Sequence, residues 1–236
     1  MVYDIAGLRI EIKNRCAYTT EFCREYLSSD QTSKADVSVF VTDEQFYAEK
    51  AVSADFPDGY VENICLYRNI CMQMPKFDRF LLHAAVLETD GEAYAFLGRS
   101  GAGKSTHTGL WLEHVKGAKI LNGDKPIVHF DGEKFIAYGT PWMGKEGRGY
   151  NGKAPLKAFC FIEKARENCL TRIDVNGFTD RIFTQLLIPS DVQGASKTLA
   201  LADELVKSVP AYVMQCDISK DAARVSYEGM TGKKLD

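Results

Sequence analysis

A chain of 236 residues, 45% hydrophobic and 26% charged, has the balance of a folded globular protein with a sizeable core and not that of a disordered one. Its formal net charge of −3 gives no global positive field, which argues against a nucleic-acid partner. Residues 1–10 hold Asp4 and Arg9 within no long apolar core, and the longest apolar runs are far too short to span a bilayer, so neither a signal peptide nor a membrane partner is expected.

Taken in order, residues 8–12 alternate apolar and polar, as do Val37, Val39 and Val41 with their neighbours, the period of two of a strand. Thr42-Asp-Glu-Gln45 has the form of a capping box opening a short helix. Residues 60–66 and 70–74 read as a hairpin around Arg68-Asn69, making 1–80 a strand-rich part with two short helices. Residues 82–87 and 92–97 read as strands joined at Asp90-Gly91. A glycine-rich stretch follows, then a helix over about 104–115 and a strand over 118–121 leading to Asp124, expected to run beside strand 92–97. The segment 139–155 is rich in glycine and holds Lys145, Arg148 and Lys153. Beyond it the pattern gives strands 156–162 and 169–175, then a helix near 178–187. A longer helix, 195–209, has Leu199, Ala202, Leu205, Val206 and Val209 on one face, and strand 212–216 and a short helix after Ser219 complete the chain. No repeat or linker interrupts it. Residues 1–236 are therefore read as one domain, with 81–165 as its central part and 166–236 as a C-terminal α/β part. Seven irregularly spaced cysteines without a C-x-x-C pair predict reduced thiols and a cytoplasmic protein.

The stretch Gly98-Arg99-Ser100-Gly101-Ala102-Gly103-Lys104-Ser105 fits G-x-x-x-x-G-K-[ST] at every fixed position. From ordinary residue usage, a chance match in such a chain is on the order of one in a hundred, and the flanking strand and helix lower the odds further. Glycines permit a tight wrap that turns backbone N–H groups toward phosphate oxygens, and the helix N-terminus adds favourable field. Lys104 then reaches the β- and γ-phosphates, and the Ser105 hydroxyl, just before Thr106, suits Mg²⁺. Asp124 is placed to hold that Mg²⁺ or to take a proton from an attacking hydroxyl, although Asn122-Gly-Asp-Lys is also an ordinary turn sequence. A histidine in an apolar strand is more often structural, yet neighbouring strands could bring His83 beside Asp124. His107, His114 and His129 lack partners at metal spacing. Lys145 and Arg148 sit in a segment able either to close over a site and neutralise a phosphoryl group or to be a solvated loop.

These residues, His83-Ala-Ala-Val-Leu, then residues 93–105, Asn122-Gly-Asp124 and Gly139-Thr-Pro-Trp, resemble the HPr kinase-related P-loop proteins, which share a core with phosphoenolpyruvate carboxykinases. The resemblance spans about residues 60–165. It implies an α/β fold with a mixed, curved sheet and flanking helices, and ATP with Mg²⁺ held by residues 98–106, with Ser105 and Asp124 as metal ligands. It further implies His83 and Asp124 as catalytic residues with Lys104, and Lys145 and Arg148 as phosphate- or substrate-binding cations. The acceptor would be a hydroxyl in a peptide, protein or small molecule, and related enzymes assemble as homo-oligomers. The chain departs from the family's pattern at Lys125, where HPr kinases carry a second acid, and at Thr106, where an acidic residue is common. The alternative reading is an ATP-binding regulatory module that recruits a partner with little phosphotransfer.

Overall fold

The computed structural model describes residues 1–99 and 101–235 and opens with an antiparallel pair, β1 (Val2–Ile5) and β2 (Leu8–Lys13). After α1 (Ala17–Phe22) the chain returns as β3 (Val37–Phe40), parallel to β2. Leu8, Ile10 and Ile12 point to one face of this sheet, where they are buried together with Val37 and Val39. Thr42 and Gln45 form the expected reciprocal cap of α2 (Asp43–Val52), each side chain accepting from the other's backbone N–H. The hairpin expected around Arg68-Asn69 is instead a continuous helix, α3 (Asp58–Gln73). The β-branched and aromatic residues there suggest strands, but Cys65, Leu66 and Ile70 bury together against the sheet from one side of a helix. Residues 1–80 thus carry more helix than strand.

A short 3-10 turn leads into β4 (Arg79–Leu81), and β5 (Ala85–Thr89) with β6 (Glu92–Leu97) forms the hairpin closed by Asp90-Gly91. Then come α4 (Lys104–His114), β7 (Lys119–Asn122), β8 (Ile127–Phe130) and β9 (Phe135–Tyr138). The remaining elements are β10 (Lys153–Lys164), β11 (Cys169–Ile173), α5 (Val175–Ile182), α6 (Val192–Ser208), β12 (Ala211–Cys216) and α7 (Lys220–Thr231).

Among the described residues nine strands form one mixed sheet. Its central run is β7-β5-β6-β10-β12-β11, in which β6, β10 and β12 are parallel and the other pairings antiparallel. The start of β10 pairs instead with β9, which continues through β8 to β4. A register shift between Leu156 and Ala158 separates the two halves of β10, the kind of bulge that bends a strand. β7 was expected next to β6. The two-residue turn forces β5 onto one edge of β6 and β10 takes the other, so β7 lies beyond β5.

Strands apolar at successive positions must be covered on both faces. Ala93, Ala95 and Leu97 of β6, with Phe159 and Phe161 of β10, face the layer of α5 and α6. Tyr94 and Phe96, with Ala158, Cys160 and Ile162, face α4 and α7. The buried face of α6 runs through Leu201, Ala202, Leu205 and Val206, whereas Leu199, expected among them, is 43% exposed. Among the described residues all seven cysteines are free, and no helix is long and apolar enough to cross a membrane.

Candidate active site

The carboxyl end of β6 runs into the glycine-rich stretch, and α4 begins at Lys104, so strand, loop and helix follow in the expected order. Gly98 has φ of 149°, and a Cβ there would stand 2.9 Å from the Ala102 Cβ and 3.2 Å from the Ile162 carbonyl of β10. No side chain fits that approach. Lys104 Nζ donates to the Gly98 carbonyl at 2.8 Å, so its ammonium arches back over the loop. Burial pushes this ammonium below its ordinary pKa, with Asp124 opposing the shift and Lys125 adding to it.

Asp124 stands in a turn built by Asn122. The fully buried Asn122 accepts at Oδ1 from the backbone N–H groups of Asp124 (2.9 Å) and Lys125 (2.7 Å). Its Nδ2 donates to the carbonyl and hydroxyl of Thr140, both at 3.1 Å, and the Thr140 hydroxyl donates to the Lys125 carbonyl at 2.7 Å. The turn reading of Asn122-Gly-Asp-Lys therefore describes the backbone well, while its carboxylate faces a cluster of cations. His83 Nε2 lies 3.1 Å from Asp124 Oδ1 and Lys125 Nζ 3.6 Å from Oδ2. Burial raises the Asp124 carboxyl, but the His83 hydrogen bond and the charges of Lys125 and Lys104 outweigh it, leaving the group below its ordinary value. The pair forms because the segment around His83 lies beside the Asp124 turn: Ala84 N–H donates to the Asp124 carbonyl and Leu82 N–H to the Pro126 carbonyl, both at 3.1 Å.

A cavity of about 480 Å³ opens where these elements meet. His83, Gly101, Gly103, Lys104, Ser105, Thr106 and Asp124 line one side of it, and Lys145 and Arg148 of the 139–152 segment line the other. Four cations, Lys104, Lys145, Arg148 and Lys164, face it against two carboxylates, Asp124 and Glu146. A second cavity of about 880 Å³ lies on the other flank of the loop, where Gly98, Arg99, Gly101 and Ala102 meet the end of β10 and the turn after α5. His83, Gly101 and Lys164 line both. Ser100 lies outside the described residues. Lys153 opens β10 with its ammonium 5.8 Å from the Tyr138 ring centre, and lines neither cavity.

Several lining residues carried no signal in the sequence. Lys164 ends the strand next to the loop's own strand, a position visible only once the strand order is known. Arg181 of α5 and Gln185 of the turn after it lie more than 75 residues downstream of the loop. Gly144 was hidden among five glycines, yet a Cβ at its φ of 78° would stand 2.9 Å from the Asp124 Cβ.

The residues fit a magnesium ion carried in by a nucleotide. Mg²⁺ takes one or two protein oxygens and completes its shell with phosphates and water. The Ser105 hydroxyl and the Asp124 carboxylate line one cavity, and no group of three or more His, Cys, Asp or Glu residues forms a metal cage among the described residues.

No family profile matches the chain, and no curated protein matches it. Among solved structures it is similar to the Hpr(Ser) kinase/phosphatase from Coxiella burnetii, over 64% of this chain and 93% of that one, at 11% identity and a TM-score of 0.35. That likeness is too loose to carry an argument about fold or activity.

Proposed function

We propose that the protein is an ATP-dependent phosphotransferase that moves the γ-phosphoryl group of ATP to a hydroxyl acceptor. One observation carries this reading: Lys104 and Ser105, at the start of the helix that follows a G-x-x-x-x-G-K-S loop, open onto the same cavity as a His83–Asp124 pair held at 3.1 Å. A loop and helix N-terminus suit a triphosphate, and Lys104 with Lys145 and Arg148 supplies the positive charge that a transferring phosphoryl group needs. Magnesium, bound with the nucleotide, would neutralise charge on its phosphate oxygens, with the Ser105 hydroxyl as its protein ligand when Asp124 serves as the base.

In the reaction the acceptor oxygen forms a bond to the γ-phosphorus as the bond from that phosphorus to the ADP oxygen breaks. The hydroxyl proton leaves to Asp124, with His83 orienting the carboxylate. A loose transition state in which the proton moves late asks for little basicity, so Asp124 acts chiefly through orientation and charge.

The test is incubation with γ-labelled ATP and Mg²⁺ against free serine, serine peptides and simple alcohols, in the parent and in Asp124→Asn. The variant should lose at least about a hundredfold in turnover while ATP affinity changes only a few-fold. Equal phosphotransfer by both chains would remove Asp124 from the mechanism. Tight ATP binding by the parent with no label transferred to any acceptor would favour the regulatory alternative.

A further inference from the structure

A carboxylate beside a phosphate loop can take the acceptor's proton or bind magnesium, and the groups around Asp124 decide between the two roles. His83 Nε2 stands 3.1 Å from its Oδ1 and Lys125 Nζ 3.6 Å from its Oδ2, so a nitrogen attends each oxygen. The side chains of Asp124 and Lys125 each keep 29% of their surface, and water screens the pair only in part.

Lys125 is firmly mounted. Its N–H donates to Asn122 Oδ1 at 2.7 Å, its carbonyl accepts from the Thr140 hydroxyl at 2.7 Å, and Asn122 and Thr140 are both fully buried. The following residue is Pro126, which further narrows the backbone at Lys125. Among the described residues the Lys125 ammonium pairs with no other carboxylate. It lines neither cavity, and so meets the site through Asp124.

The surrounding charge points the same way. Lys104, Lys145, Arg148 and Lys164 face the cavity, and of its two carboxylates Glu146 is already paired to Arg148 at 3.6 Å. Without a nucleotide, a divalent cation nearing Asp124 meets net positive charge and an oxygen that Lys125 holds. Mg²⁺ sheds its water reluctantly and gains little from a carboxylate so compensated. A triphosphate reverses the sign of the site.

We propose that Lys125 is a positioning residue that reserves Asp124 for the acceptor's proton, by holding the carboxylate oxygen that a divalent cation would otherwise take. The metal then enters only with the nucleotide and finds its protein oxygen at Ser105. The inference rests on the phosphotransferase reading and divides the work within that site.

The experiment titrates the full chain with Mn²⁺ alone, following the free-ion paramagnetic resonance signal, and then measures label transfer from ATP. Lys125→Met removes the charge and leaves both backbone bonds in place. It should bind Mn²⁺ at least about tenfold more tightly than the parent, whereas Lys125→Arg and the control Lys153→Met stay within about twofold of it. Adding Asp124→Asn to Lys125→Met should abolish the gain. In turnover, Lys125→Met should lose at least about tenfold in kcat with KM for ATP within about threefold, and Lys125→Arg should restore kcat. Free Mg²⁺ in excess of ATP should deepen the loss in Lys125→Met and leave the parent unaffected. Equal Mn²⁺ affinity in the parent and Lys125→Met overturns the proposal, as does a gain that survives Asp124→Asn or is shared by Lys153→Met. A parent that transfers no label sinks the phosphotransferase reading, while the Mn²⁺ titration still decides whether Lys125 withholds Asp124 from metal.

Discussion

Acid should loosen the helix that carries the phosphate-binding lysine, and His107 sets the size of the effect. This residue sits one turn into α4, 2% exposed, with Nε2 2.9 Å from the Ser226 hydroxyl of α7. Ser226 also accepts from Trp111 Nε1 at 2.8 Å, so one buried hydroxyl ties two residues of α4 to the C-terminal helix. Burial pushes the His107 imidazole down to about 4 from its ordinary 6.5. A folded-state pKa below the unfolded one means that protons favour the unfolded chain. Stability is then full above about pH 6.5, falls as the pH drops toward 4, and levels off below. Between pH 7 and pH 4.5 the loss from this one group is about 2–3 kcal/mol. Urea unfolding of the parent and of His107→Gln at both values isolates it from every other titration. The variant starts less stable but should lose about 2–3 kcal/mol less on acidification. Equal losses in the two chains would refute the claim that His107 is held neutral by burial.

Three further outcomes follow from the site. Gly144→Ala places a Cβ 2.9 Å from that of Asp124 at a φ of 78°, and should cost about 1 kcal/mol in stability and lower turnover more than ATP affinity, read by melting and by label transfer. Trp142→Phe removes the donor that Asn63 Oδ1 accepts at 2.6 Å and leaves a buried amide whose Nδ2 already lacks a partner; chemical denaturation should report a loss of about 1–3 kcal/mol. Lys104→Ala should weaken ATP binding at least about tenfold by calorimetry, and unchanged affinity would contradict the charge argument.

The strands that carry the site were legible because β5, β6 and the 158–162 part of β10 are short apolar runs, and the glycine stretch has fixed spacing whatever surrounds it. α3 was not. Its Tyr60, Val61, Ile64, Tyr67 and Ile70 favour strand by propensity, and only the sheet beneath, which buries Cys65, Leu66 and Ile70 together, decides for helix. Strand order was equally hidden. Nothing local to Lys119–Asn122 tells that the β5–β6 hairpin will stand between it and the loop's strand. The juxtaposition of His83 with Asp124 was open in the sequence, since it needs backbone pairing between residues 82–84 and 124–126 that no local pattern encodes. The second cavity left no trace at all, because its walls come from the loop, the end of β10 and the turn after α5, which sequence separates widely.

The N-terminal layer has a place in this geometry that its own sequence does not announce. Residues 139–152 are glycine-rich and carry Lys145 and Arg148, and such a segment left alone would spread those charges over many positions. It is tied down on both sides instead. Trp142 packs against Tyr67 of α3 and Phe22 of α1, with ring centres at 5.2 and 6.5 Å, and donates to Asn63 of α3. Toward the sheet, Thr140 is bonded into the Asp124 turn, and the Tyr150 hydroxyl donates to Glu88, which Lys119 also pairs at 3.2 Å. The stretch from Met143 to Gly149 hangs between these anchors, facing the cavity that Lys104 and Asp124 line. Order in the two cations thus depends on α1 and α3, elements that contribute no described residue to the lining of that cavity. A loop that needs glycine to pass close to Asp124 obtains its rigidity from an aromatic side chain seated in another layer.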